Sequence, residues 1–237
     1  MRAYLATLIV AVVSLSACAT LPATEQEGAR LMALMKTASG GAALDTPAGF
    51  YEAGTALRDG APATYETWGD LRTLKSASRQ TFGGATLSSG FDGKTSWSID
   101  PSGAVTVDAS PEGVADARLG AYLTVGAYFY PDRFLARFEY AGDRSANGKT
   151  YNVVTVTPEG SPSVDLWLDT QTHLLQRISG MDRGTPFYGD VKRYETIDGA
   201  KIGFELHQTI GEHQLQLMLK TYRFEAVPAE RFAPPPQ

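Results

Sequence analysis

The sequence predicts a mainly β (α+β) domain whose antiparallel strands curl either into a barrel or into a single deeply curved sheet, covered by an amino-terminal helix and one inserted helix. Three observations carry this. From residue 49 onward, short runs alternate apolar and polar residues, the pattern of strands with one buried face. Between the runs stand Asp59-Gly60, Asp92-Gly93, Asn147-Gly148 and Asp198-Gly199, dipeptides that supply the positive φ angles of tight hairpins. The runs number about thirteen, and so many strands in one domain must curl rather than lie flat.

The elements follow in order. EGARLMALMKTASGG, from Glu27, reads as a helix with Leu31, Leu34 and Met35 on one face, stopped by Gly40 and Gly41. Strands are expected at 49–58, 63–71, 74–82, 85–92, 94–100 and 104–108. After an interruption they resume at 134–141, 149–157, 163–169, 173–179, 187–196, 201–210 and 214–226. Pro101-Ser102-Gly103 makes a further turn. In KIGFELHQTI, Ile202, Phe204, Leu206 and Ile210 point one way and Glu205, His207 and Thr209 the other. The hairpin that follows turns at Gly211-Glu212, pairing Ile210 with His213 and His207 with Gln216. In QLQLMLKTYRF, Leu215, Leu217 and Leu219 share one face, whereas Met218, Tyr222 and Phe224 fall on the opposite one. That switch requires a bulge, or a strand apolar on both faces. The interruption, SPEGVADARLGAYLTVGAYFYPDRF, opens with Ser110 as N-cap and Pro111 at the first helical position. Leu119, Tyr122, Leu123, Gly126 and Phe129 recur there at helical spacing, up to Pro131. The end, FAPPPQ, is polyproline-like.

The first residues carry an address. Arg2 precedes an apolar run from Tyr4 to Leu15, too short for a spanning helix, which needs roughly 20 residues. Leu15, Ser16, Ala17 and Cys18 then resemble, at every position, the lipobox of bacterial lipoproteins. The resemblance implies cleavage before Cys18, a diacylglycerol on its sulfur and an N-acyl chain, such as palmitate, on the new amino terminus. Two or more chains hold a protein on a bilayer where one does not. Ala19 follows where many Gram-negative proteins retained at the inner membrane carry Asp, which points to the outer membrane, facing the periplasm. The expected organisation is a lipoprotein signal peptide at 1–17, a lipidated tether at 18–26 and one domain at 27–237.

Cys18 is the only cysteine, so disulfides and thiolate metal sites are not expected in the mature chain. With 21 basic and 26 acidic residues, the net charge of -5 and the absence of a basic patch speak against nucleic acid. His173, His207 and His213 lack zinc spacing, and no metal or cofactor is expected beyond the acyl groups on Cys18. Nucleophile-elbow, phosphate-loop, dinucleotide and zincin motifs are absent. Leu44-Asp45-Thr46-Pro47 and Leu168-Asp169-Thr170-Gln171 resemble the Asp-Thr-Gly of aspartic proteases, but Pro and Gln replace the glycine, leaving strand-end turn aspartates. The protein is therefore not expected to be an enzyme. Trp68, Trp97 and Trp167 lie in strands beside acidic or hydroxyl residues. Each serves either as sheet core or, in a curved sheet, as the lining of an apolar pocket. Candidate ligand-binding residues are these three with Phe91, Leu119, Tyr122 and Phe129.

The amino-terminal helix, the FDGKTSWSID hairpin, and the run SVDLWLDTQTHLLQRI followed by YETIDGAKIGFEL resemble the lipoprotein carrier and receptor family of LolA and LolB, with related domains in regulators such as RseB. Leu168-Asp169, Thr172, Leu174-Leu175 and Asp198-Gly199 carry the likeness, which implies an unclosed half-barrel with helices over its apolar concave face. No residue matches the carriers' lid-holding arginine or LolB's protruding apolar loop, so no ligand residue carries over. Ala38 to Gly41, Glu66 to Thr73 and Gly90 to Trp97 are also similar to segments of periplasmic domains, some joined in front of retropepsin-like proteases. Two functions follow as expectations: an outer-membrane lipoprotein binding a lipid or a lipoprotein acyl chain in the concave face, or a periplasmic protein-interaction module, RseB-like or protease-associated, without a lipid cavity.

Overall fold

The computed structural model describes residues 21–234; the leader and Cys18 lie outside the described residues. Helix α1 (Ala23–Ala38) leads into a first meander of β1 (Gly49–Arg58), β2 (Ala61–Asp70), β3 (Lys75–Phe82), β4 (Ala85–Phe91), β5 (Ser96–Ile99) and β6 (Val105–Asp108). Helix α2 (Pro111–Thr124) follows. A second meander then runs through β7 (Ala136–Ala146), β8 (Lys149–Pro158), β9 (Val164–Asp169), β10 (Leu175–Asp182), β11 (Thr185–Ile197), β12 (Ala200–Ile210) and β13 (His213–Phe224). All join one 13-stranded antiparallel sheet, ordered β6-β5-β4-β3-β2-β1-β13-β12-β11-β10-β9-β8-β7. The sheet curves without closing, since β6 and β7 are its two edges. The fold class and the strand series agree with the sequence expectation.

This order explains where the helices go. The first meander ends at one edge and the second begins at the other, so the segment containing α2 must cross the sheet. It crosses on the concave side, where Leu119, Tyr122, Val125, Ala127, Tyr128 and Tyr130 join the main core. Helix α1 packs on β7 and β8. Gly28 makes that contact close, because a Cβ there would stand 2.5 Å from the Phe138 carbonyl oxygen. Met35, Val153, Val154, Val156, Leu166 and Leu168 are among the fully buried side chains.

Turn chemistry acts where expected. Asp59-Gly60, Asn147-Gly148 and Asp198-Gly199 hold positive φ at both residues, as two-residue hairpins of this hand require. Asp92 works differently: its carboxylate accepts from the backbone N–H groups of Lys94 and Thr95, both at 2.8 Å. The bulge inferred in β13 lies at Lys220, which the register with β1 skips between Leu219 and Thr221. It brings Leu217, Leu219, Tyr222 and Phe224 to one face, resolving the switch in pattern, and leaves Met218 on the other. Ile210 pairs with His213 and His207 with Gln216, as the hairpin requires.

Three expectations need correction. Helix α1 starts at Ala23 rather than Glu27, because Thr24 to Gln26 are polar yet helix-compatible, and the Gln26 side chain donates to the Leu21 carbonyl. Met32, not Leu34, completes its buried face with Leu31 and Met35. Helix α2 is capped by Ser110 as expected, its hydroxyl accepting from Gly113 N–H, but it ends at Thr124. Gly126 adopts the left-handed conformation (φ 59°), and Ala127–Phe129 form a separate 3-10 turn.

Candidate ligand-binding groove

Strand alternation places one set of side chains inside the curve and the other outside. Inside lies a groove of about 930 Å³. Its two walls differ in chemistry because each comes from one meander.

The second meander supplies an apolar wall. Ile178, Phe187, Val191, Ile202, Leu206 and Leu217 face the groove, with Tyr222 and Phe224 beside them. Leu206 stands opposite both Val191 and Leu217 in the register, so this wall is a continuous patch across β11, β12 and β13. The first meander supplies a hydroxyl wall. Thr67, Ser78, Ser89, Ser98 and Thr106 are direct cross-strand partners from β2 to β6 and all line the groove. Ser78 Oγ and Ser89 Oγ are 3.1 Å apart. At the inner end of this row stands Glu52, paired in register with Thr67 on one side and Tyr222 on the other.

Glu52 is the perturbed acid of the site. Surrounded by protein and facing the groove rather than bulk solvent, its carboxyl is pushed up to about 7 by burial, partly offset by a hydrogen bond from Thr67. The nearby Tyr65 and Tyr222 phenols are raised above their ordinary value, first by burial and then by the Glu52 charge, so both remain neutral donors. Asp108, at the β6 end, is instead lowered by hydrogen bonds from Ser110.

The crossover segment bounds the groove. Along α2, Asp116, Ala117, Gly120, Ala121 and Thr124 turn toward the lumen. Asp116 is bonded at 3.0 Å to Arg183 at the tip of the β10–β11 hairpin. Beyond the helix, the Tyr130 hydroxyl donates to the Leu44 carbonyl at 2.8 Å, while Arg133 donates to the carbonyls of Asp45 and Leu71. These bonds fix the crossover against the loops at one end of the sheet.

The aromatic residues singled out in the sequence are divided by this geometry. Phe91 and Phe129 line the groove. Leu119 and Tyr122 are in the core beneath α2, and the Tyr122 hydroxyl is buried without a hydrogen-bond partner among the described residues. The tryptophans belong to the other face. Trp68 and Trp97 pack with Ala77 and Phe232 on the convex side; although Trp97 borders the groove wall, its indole donates to the Phe232 carbonyl at 2.7 Å. Trp167 alternates with the buried Leu166 and Leu168, donates to Ser179 Oγ, and carries Arg144 and Arg177 against its ring. Of the two uses open to the tryptophans, Trp68 and Trp167 pack on the outer face as sheet residues, and Trp97 packs there while also bordering the groove; period-2 alternation gives each strand these two faces.

The groove residues that sequence reasoning missed are Glu52 and the hydroxyl row. Their signal was indirect. The Gly83-Gly84 turn pairs Phe82 with Ala85, and this register sets Ser78 opposite Ser89. Asp169 is a turn aspartate, its carboxylate accepting from the N–H groups of Gln171 and Thr172. Asp45 follows a 3-10 turn and meets Lys36 at 2.6 Å. Among the described residues, no three His, Cys, Asp or Glu side chains converge as metal ligands.

No protein-family model matches the sequence, and no curated protein matches it. Solved structures do. A DUF1329 family protein from Desulfovibrio piger is 15% identical, with a TM-score of 0.57 over 89% of this chain and 97% of that one. A putative outer membrane lipoprotein-sorting protein domain from Vibrio parahaemolyticus is 13% identical, TM-score 0.57, over 88% and 97%. The LolA superfamily protein NE2245 from Nitrosomonas europaea is 12% identical, TM-score 0.57, over 90% and 98%. At these identities the likeness is one of fold: the chain shares the overall fold of these three proteins, and its own sheet is unclosed and covered by helices.

Proposed function

We propose that this protein is a non-catalytic, membrane-anchored binding protein whose groove holds an apolar chain, either of a lipid or of a lipoprotein. The observation that carries the reading is the groove itself: about 930 Å³ of space beside a continuous apolar wall, in the range of sites that enclose a small ligand. Burial of the chain supplies the affinity, at about 25 cal/mol per Å² of apolar surface before ordering costs are met. The shared fold with a lipoprotein-sorting domain supports it. The lipobox-like stretch ending in Cys18 supports anchoring, at the outer membrane by the residue that follows. An interaction module with a filled interior is the less favoured reading, because the concave face is open.

The test is direct. The purified protein is extracted and analysed by mass spectrometry for bound lipid, then titrated with a fluorescent fatty acid. Saturable binding, competed by unlabelled fatty acid, is expected. A protein free of lipid that shows no saturable binding refutes the proposal.

A further inference from the structure

A site for an acyl chain alone would be apolar throughout, and this groove is not. Thr67, Ser78, Ser89, Ser98 and Thr106 form an unbroken cross-strand row on its other wall. At the usual strand spacing, four steps carry the row about 19 Å across the sheet. Hydroxyls both donate and accept, and they carry no charge. The Ser78–Ser89 pair is a single hydrogen bond and uses only part of this capacity.

The surrounding charges narrow what the row can receive. Acids flank it, Glu52 at the inner end and Asp108 beside the outer one. Of the two cations that line the groove among the described residues, Arg183 is already engaged by Asp116 at 3.0 Å, and Lys201 belongs to β12 across the groove. A phosphate, sulfate or carboxylate laid on the row would meet carboxyl groups and, among the described residues, no cation of its own wall. Glu52 itself is raised toward neutrality and offers a hydrogen bond more readily than a full counter-charge to an ammonium group. There is space opposite: a Cβ on Gly120 of α2 would meet nothing within 4 Å.

We propose that the row from Thr67 to Thr106 is a polar subsite that receives the uncharged, hydroxyl-bearing head of an amphiphile whose chain lies on the apolar wall of β11 to β13. This rests on the groove-binding reading above and adds the chemical class of the head. The ligand is thereby oriented, its head toward the β6 edge and its chain toward the β10–β13 side.

Three decyl amphiphiles test it by calorimetry below their micelle concentrations: decyl maltoside, decanoate and decyltrimethylammonium. The maltoside is expected to bind about tenfold more tightly than either charged probe, as one or two net hydrogen bonds would provide. In a Ser78→Val, Ser89→Val, Ser98→Val variant this preference is expected to fall to about threefold or less. Valine suits strand positions, and the single Ser89→Val change, at an exposed site, gives the same direction if the triple variant does not fold. Equal binding of the three probes, preference for a charged one, or a maltoside preference that survives the valines overturns the polar subsite while leaving the groove reading intact. Failure of all three probes to bind overturns both.

Discussion

Trp97 on β5 and Phe232 in the carboxy-terminal segment are joined by an indole-to-carbonyl hydrogen bond of 2.7 Å, across a sequence separation of 135 residues. The Phe232 ring is fully buried against Trp68, Ala77 and Trp97 on the convex face, and Arg231 lies over the Trp68 ring. The tail thus covers the outside of the first meander. Phe232→Ala is expected to destabilise the protein by about 3 kcal/mol, the usual cost of emptying a buried aromatic site. Urea unfolding measures it, and a change below about 1 kcal/mol would show that the tail does not anchor this face.

Glu52 makes stability depend on pH. Its carboxyl rises from 4.5 to about 7 on folding, so the folded state binds the proton over a range where the unfolded chain has released it. The contribution of Glu52 to stability is then full below about 4.5, is lost as pH rises toward 7, and stays lost above. The full shift corresponds to about 3 kcal/mol, and water in the groove screens it to about 1–2 kcal/mol. Glu52→Gln removes the titration: close to wild type at pH 4, it is expected to be more stable by that amount at pH 8. A pH-independent difference between the two proteins contradicts this assignment.

Val191 projects into the groove from β11, opposite Leu206. Val191→Trp places a large ring in the space proposed for the chain. Fatty-acid affinity is expected to drop at least about tenfold, which is 1.4 kcal/mol, while the circular dichroism spectrum and unfolding midpoint stay near wild type. Unaltered binding would place the chain elsewhere.

Cys18→Ser removes the proposed acylation site while leaving the sheet domain untouched. The variant is expected in the soluble periplasmic fraction with wild-type unfolding behaviour, and retention on membranes washed at high salt would exclude Cys18 as the anchor.

Much of this structure is legible in the sequence because it is local. Hairpin position follows from residue pairs such as Asn147-Gly148, whose backbone angles few other residues tolerate. Strand extent follows from period-2 patterning, and the β13 bulge announced itself as a phase change between Leu219 and Tyr222. The start of α1 was missed because Thr24 to Gln26 face solvent, so their pattern is as consistent with a tether as with a first helical turn. The end of α2 was missed because Phe129 keeps helical spacing while Gly126 breaks the backbone.

The candidate site was far less legible. Alternation assigns Trp68 and Thr67 to opposite faces, but nothing in either strand says which face is concave. That depends on the twist accumulated over thirteen strands and on the side by which the α2 segment returns from edge β6 to edge β7. From the sequence alone came the antiparallel strand series, its turns, its two helices and the lipobox-like address. Tertiary structure alone decided that the tryptophans face outward, that five hydroxyls from five strands align beside Glu52, and that the lumen has one apolar and one polar wall. Local backbone preferences act over a few residues, whereas the facing of a wall is set by packing between elements far apart in the chain.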